Sequence, residues 1–159
     1  MHPSISDVRH NLEQLGWRDA VVKASAEALE KRSQLRSMKS VAGRVSVVTI
    51  CFNAVSTIAS ALSSIEAQHY DDVEYIVVDG GSTDGTLETV KACDRVDLVI
   101  SLRDKGISDA FNRGAALASG EFIAFLNADD VWPTNHLATA VAALRKDAQL
   151  AFAFGDLVR

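Results

Sequence analysis

From residue 44 onward the apolar positions alternate between two rhythms. β-Branched runs at 45–50, 73–78 and 98–101 have the texture of buried strands. Between them Ile58, Leu62 and Ile65 recur at helical spacing within 54–68, and helical patterns cover 87–93 and 108–118, the latter closed by Gly120. Residues 122–126 are all apolar; the run is too short for a helix and predicts a strand buried on both faces, ended by Asn127, Asp129, Asp130 and Pro133. Thr134 or Asn135 then caps a helix through Leu137, Val141 and Leu144, and 151–154 predicts a last strand. Strand and helix alternate with short connections. The class expected is α/β, a mainly parallel sheet flanked by helices on both faces.

Residues 1–43 have another texture. Ile5, Val8, Leu12 and Leu15 fall at helical spacing before Gly16, and Val21, Ala24, Ala28, Leu35 and Met38 mark a second helix. Arg9, Arg18, Lys23, Lys31, Arg32, Arg36 and Lys39 make this stretch the more basic part. It predicts a helical N-terminal extension packed on the domain or on a second copy, with contact to an acidic membrane surface as the alternative. Residues 40–43 look like a linker to a second unit, 44–159.

Composition narrows the class. The chain has 159 residues, 48% apolar and 23% charged, which suits one soluble globular domain. A formal net charge of -5 argues against a general nucleic-acid-binding surface. No apolar run approaches the roughly 18 residues of a membrane span, and no secretory signal opens the chain. Two cysteines, Cys51 and Cys93, make neither a disulfide framework nor a metal cluster, so the cytoplasm is the expected compartment.

In parallel α/β sheets, ligands bind outside the carboxyl ends of the strands. Four polar clusters fall there: Cys51-Phe52-Asn53, 79–86, 103–106 and 127–130. The Asp79 carboxylate suits a ribose hydroxyl or a base N–H, and Gly80-Gly81 admits close backbone approach; Ser-Thr-Asp-Gly-Thr is equally ordinary turn chemistry. Asp129 and Asp130 at the mouth of a strand suit a divalent cation, or else a helix cap. A dinucleotide fold needs a Gly-rich turn after the first strand; residues 51–56 contain no glycine, and a Walker loop is also missing.

Four blocks in order carry a resemblance: Val45-Ser46-Val47-Val48-Thr49-Ile50-Cys51-Phe52-Asn53, Val78-Asp79-Gly80-Gly81-Ser82-Thr83-Asp84-Gly85-Thr86, Asp104-Lys105-Gly106-Ile107-Ser108-Asp109-Ala110-Phe111-Asn112-Arg113-Gly114 and Phe125-Leu126-Asn127-Ala128-Asp129-Asp130. Over about residues 44–158 the chain resembles the family-2 glycosyltransferases, inverting enzymes with the GT-A (Rossmann-like) fold. The resemblance implies a nucleotide-sugar donor, most often a UDP-sugar, with Mg2+ or Mn2+ on its diphosphate and a glycan or lipid-linked acceptor in surface polysaccharide biosynthesis. It assigns Thr49, Phe52 and Asn53 to the nucleoside pocket, Asp79 to the base or ribose, and Asp104 and Lys105 to the nucleotide border. Asn112 and Arg113 would face the donor, Arg113 at the diphosphate. Asp129 would be the metal ligand, and Asn127 stands where the family's first Asp-x-Asp acid belongs, a weaker partner. Asp-Gly-Gly-Ser stands where many relatives carry two adjacent acids.

An inverting transfer needs a base for the acceptor hydroxyl. The resemblance places it beyond Arg159, with Asp156 too early to match, so the catalytic residue is unknown. The expectation is a GT-A domain truncated after the strand that follows the metal element, self-associating through the face left uncovered. The competing expectation is a non-catalytic nucleotide-binding or interaction module.

Overall fold

The computed structural model describes residues 40–155. Strand β1 (Val41–Cys51) is followed by α1 (Ile58–Glu66), β2 (Val73–Asp79), α2 (Thr86–Lys91), β3 (Leu98–Ser101), α3 (Ile107–Leu117), β4 (Gly120–Asn127) and α4 (His136–Lys146). The strands form one four-stranded sheet in the order β3-β2-β1-β4. Every pairing is parallel. The β-branched runs explain this: each strand in the middle of the sheet is covered on both sides, and β2 is buried at every position.

The helices divide between the two faces. Ile58, Leu62 and Ile65 of α1, Val90 of α2 and Leu137 and Val141 of α4 join Val45, Val47, Tyr75 and Val77 in one core. On the other face α3 lays Ala110 and Leu117 on Val48, Ile76, Val78 and Ile100. Burying each of the larger aliphatic side chains contributes about 1.5–3 kcal/mol. Helix α3 comes unusually near the sheet because of Gly114, where an added Cβ would lie 2.2 Å from Val48 Cγ1.

Register positions the functional edge. Cys51 pairs with Asp79, Asp79 with Ser101, and Ile50 with Asn127, so four strand ends finish side by side. Parallel pairing forces this, since all strands present the same end to the same rim.

Three sequence expectations change. Residues 122–126 were expected to be buried on both faces; β4 is instead the sheet edge, with Ile123 44% and Phe125 49% exposed. Phe111 of α3 packs edge-on to Phe125 at 4.8 Å between ring centroids. Residues 151–154 form no strand. Gly155, next in the chain, lies by the start of α4, where an added Cβ would stand 3.6 Å from His136 Cε1, and 151–154 pair with no strand of the sheet. Phe152 and Phe154 stack on one another and stay exposed. The expected linker at 40–43 also falls mostly inside a strand: β1 starts at Val41, pairing with Gly120 before a register shift. Gly43, at φ 85°, makes an irregularity that reads as a break in the sequence. Tyr70 Oη donates to Gly43 O and Gly43 N donates to Glu121 Oε2, fastening that bulge. The expected helices before residue 40 and Asp156 lie outside the described residues.

Candidate functional site

The β1–α1 and β2–α2 loops are tied together by the Ser-Thr-Asp-Gly-Thr turn. Ser82 N and Ser82 Oγ donate to the Asp79 carboxylate, while Ser82 Oγ accepts from Asn53 N at 2.8 Å. Asn53 Oδ1 accepts from Thr83 N at 3.0 Å. Asp84 accepts from Val55 N, Thr86 N and Thr86 Oγ1, and Thr86 Oγ1 takes Ala54 N. The Thr86 hydroxyl is the first reason that the Asp84 carboxyl is held below its ordinary range. Asn53, at φ 49°, and Gly81, at φ 86°, supply the left-handed turns these contacts require.

Asp79 is the hub of the network and is fully buried. Besides Ser82 it accepts from Ser101 Oγ at 2.6 Å, which joins β3 to the same cluster. Cys51 Sγ lies 3.8 Å from Asp79 Oδ1. Burial, with Asp79 beside it, pushes the Cys51 thiol up to about 12. At pH 8 Cys51 therefore stays a thiol, the unreactive form. Iodoacetamide at pH 8 is therefore expected to label half-buried Cys93 first and Cys51 only after unfolding, as read by mass spectrometry; early labelling of Cys51 in the folded protein would contradict the assignment.

The β3–α3 loop approaches from the other side. Asp104 Oδ1 accepts from Gly106 N at 2.8 Å, while Oδ2 comes within 2.8 Å of where a Cβ on Gly80 would stand. Phe52 Cδ2 is 3.3 Å from that same point, and the Phe52 side is otherwise open, the residue being 63% exposed. Lys105 is exposed, and its N–H donates to Asp109 Oδ2. Asp109 also receives Arg113 Nη2 at 2.6 Å, and Arg113 reaches Arg103 O. The Lys105 N–H first, then the Arg113 guanidinium, hold the Asp109 carboxyl below its usual range.

Asn127 ends β4, Asp129 and Asp130 follow in the turn after it, and all three are exposed. Asn127 Nδ2 donates to Asp130 Oδ2 at 2.9 Å, and Asn127 Oδ1 and the Asp129 carboxylate belong to exposed residues beside it. Oxygen donors of this kind fit Mg2+ or Mn2+. Among the described residues no group of three His, Cys, Asp or Glu could hold a metal. The fit is thus to a cation that shares its coordination with a ligand's oxygens. Gln68 steadies the segment that follows, donating to Pro133 O at 2.7 Å and accepting from Leu137 N at 3.1 Å. Trp132 packs against the core and stacks on His136 at 4.3 Å.

The fold thus gathers Phe52, Asn53, Asp79, Asp104 and Lys105 on one rim, with Asn127 at the end of β4 and Asp129 just after it beside them. Thr49 is set apart: it is fully buried, its hydroxyl paired with Tyr75 Oη at 3.0 Å. Asn53, Asp79 and Arg113 are engaged within the protein. Ser82, Ser101 and Gln68 escaped sequence reasoning. Ser82 carried a signal, since it lies in the turn motif; nothing in the sequence marks Gln68.

The family model for glycosyl transferase family 2 matches residues 46–157. The chain is 34% identical over 114 residues to the Escherichia coli UDP-Glc:alpha-D-GlcNAc-diphosphoundecaprenol beta-1,3-glucosyltransferase WfgD, covering 70% of this chain and 45% of that protein. It is similar to S. aureus TarS 1-349 in complex with UDP-GlcNAc, with TM-score 0.59 and 28% identity over 65% of this chain and 31% of that one. It is also similar to the mannosyltransferase PcManGT from Pyrobaculum calidifontis in complex with GDP-Man and Mn2+, with TM-score 0.58 and 29% identity over 79% of this chain and 42% of that one. The chain therefore spans less than half the length of each. Among the described residues no helix is long and apolar enough to cross a membrane.

Proposed function

Because the chain belongs to glycosyl transferase family 2, we propose that residues 44–159 are the donor-binding part of a metal-assisted, inverting glycosyltransferase. Its donor is a nucleotide-sugar, with a UDP-sugar favoured. Its acceptor is a glycan or lipid-linked sugar of a surface polysaccharide. The observation that carries this reading is the row of strand ends, where an exposed aromatic ring, a carboxylate and the exposed residues Asn127 and Asp129 share one rim. WfgD, named for a UDP-Glc donor and a diphosphoundecaprenol-linked acceptor, and TarS, seen with UDP-GlcNAc, support the donor class. PcManGT, seen with Mn2+, supports the cation.

The residues divide the work. Phe52 offers a face to the base, and Asp104 and Lys105 border it. Asp79, Ser82 and Asn53 hold the loops that carry them. Asp129 and Asn127 would hold the cation, which when bound stabilises the charge that grows on a departing diphosphate. Transfer with inversion also needs a base for the acceptor hydroxyl. We assign no residue of this chain to that role.

The test is calorimetric titration of UDP with and without Mn2+. Mn2+ is expected to strengthen binding to the wild-type chain, and Asp129→Ala to remove that gain. The expected loss is at least about 10-fold, because even groups that only orient metal ligands are worth about 10–100-fold. Nucleotide binding indifferent to both Mn2+ and Asp129 would overturn the metal assignment.

A further inference from the structure

We propose that Gln68 is a positioning residue for the turn that carries Asp129. Its side chain fixes the far end of that turn to α1 and so sets how well Asp129 meets a cation. The inference rests on the metal reading above and adds a residue that itself touches neither cation nor nucleotide.

The Asp129 turn has two ends. The near end is fixed by the sheet, since Asn127 pairs with Ile50 of β1. Inside the turn Asp130 N donates to Asn127 O at 3.2 Å and Asn127 Nδ2 to Asp130 Oδ2 at 2.9 Å. Both residues are exposed, so water competes for these bonds and they contribute little rigidity of their own. The far end, from Pro133 into α4, has no ladder to hold it. Asn135, one of the two caps expected from the sequence, stands at the N-cap of α4 and makes no side-chain capping bond.

Gln68 supplies the missing cap from across the core. It follows the end of α1, is buried, and has its backbone fastened by Gln68 N donating to Ile65 O at 3.2 Å. Nε2 donates to Ser64 O at 3.0 Å and to Pro133 O at 2.7 Å. Oε1 accepts from Leu137 N at 3.1 Å, one of the first N–H groups of α4, which have no partner inside the helix. His69 N adds a bond to Thr134 O at 2.7 Å. Pro133, Thr134 and Leu137 are thus all tied to one place, and that place is rigid because Ile58, Leu62 and Ile65 anchor α1 in the core.

The chemistry of the side chain explains the choice. Two carbonyls and one N–H converge on it, and a primary amide offers two N–H donors and an acceptor together. Trp132 also packs against the core, but apolar contact is non-directional and fixes no distance along the chain. Metal–oxygen bonds tolerate errors of only about 0.2 Å. Releasing the far end spreads Asp129 over positions that do not coordinate.

Calorimetric titration of UDP with and without Mn2+ tests this on the full chain. Gln68→Met keeps the length of the side chain and removes its bonds to Ser64, Pro133 and Leu137. The factor by which Mn2+ strengthens UDP binding is expected to fall by about 3- to 10-fold, the low end for groups that orient metal ligands. Affinity for UDP alone should stay within about 2-fold of wild type, because Phe52, Asp104 and Lys105 lie on other loops. A side chain that served stability alone would lower the unfolding temperature and leave the Mn2+ factor of the folded protein untouched. In an Asp129→Ala background Gln68→Met should cost nothing further, since it acts through Asp129. Without metal or nucleotide, the Leu137 N–H should exchange about 10-fold faster in Gln68→Met than in wild type. Should Gln68→Met fail to fold, Gln68→Asn, which keeps the amide but draws it back by one methylene, is read in the same way. An unchanged Mn2+ factor, an equal loss with Asp129 already replaced, or Leu137 exchange as slow as in wild type overturns the positioning role and leaves the metal reading intact. If Mn2+ adds nothing to wild type, the metal reading falls and this inference with it.

Discussion

Asp79→Ala is expected to lower the unfolding temperature of the nucleotide-free protein by about 10–15 °C and to abolish UDP binding. The side chain is fully buried and collects Ser82 N, Ser82 Oγ and Ser101 Oγ. Removing the acceptor strands these half-buried donors beside a buried void, at about 3–5 kcal/mol in total. The same loss frees Ser82 from β2, and with it the Ser82 contact to Asn53 N next to Phe52. Asp79→Asn, which keeps one acceptor oxygen, should fall between wild type and Asp79→Ala. Thermal unfolding without ligand separates the two roles open to this residue. A side chain that only touched the nucleotide would leave the unliganded midpoint alone, so unchanged stability with lost binding would return Asp79 to direct contact.

Glu74→Ala should cost as much stability, about 3–5 kcal/mol, and yet leave the nucleotide affinity of the folded protein within about 2-fold of wild type. Glu74 is the other buried carboxylate of β2, 4% exposed and near the opposite end of the strand. It accepts from Ser46 Oγ at 2.5 Å, Ser119 N at 2.8 Å and Ser119 Oγ at 2.8 Å. Ser46 Oγ in turn accepts from Gly120 N at 2.8 Å. One side chain thus fastens β2 to β1 and to the turn between α3 and β4. That turn is crowded: a Cβ on Gly120 would lie 2.7 Å from Arg44 O and 2.8 Å from Ser46 N. Denaturant unfolding followed by UDP titration under folding conditions checks both halves. An affinity loss as large as that of Asp79→Ala would show that the two ends of β2 are coupled, against this expectation.

These two glutamate and aspartate positions mark the limit of what the chain discloses by itself. Both stand in strand-like runs, and nothing local distinguishes the hub at Asp79 from a ligand contact, or the clamp at Glu74 from an exposed acid. The partners of Glu74 lie 28 and 45 positions away, at Ser46 and Ser119. A contact at that separation exists only once β1, β2 and the α3–β4 turn are assembled. Arg113 shows the same limit: its place on the helix was legible, but its engagement by Asp109 and Arg103 O follows from how the loop folds back.

The sequence by itself determined the class, the alternation of elements and the edge on which the chemistry gathers. Apolar periodicity is a local property, and parallel strands must send all their C-terminal loops to one rim. The four motif blocks determined the family. Only the tertiary structure decided which residues on that rim remain open. It made β4 an edge with Ile123 and Phe125 exposed, left 151–154 without a ladder, and drew Gly43 into β1. It turned Asp79 inward and set the Asp104 carboxylate and Phe52 close against Gly80. The physical reason is that residue type states what a side chain can bond to, whereas the bonds already satisfied within the fold decide what it has left to offer a ligand.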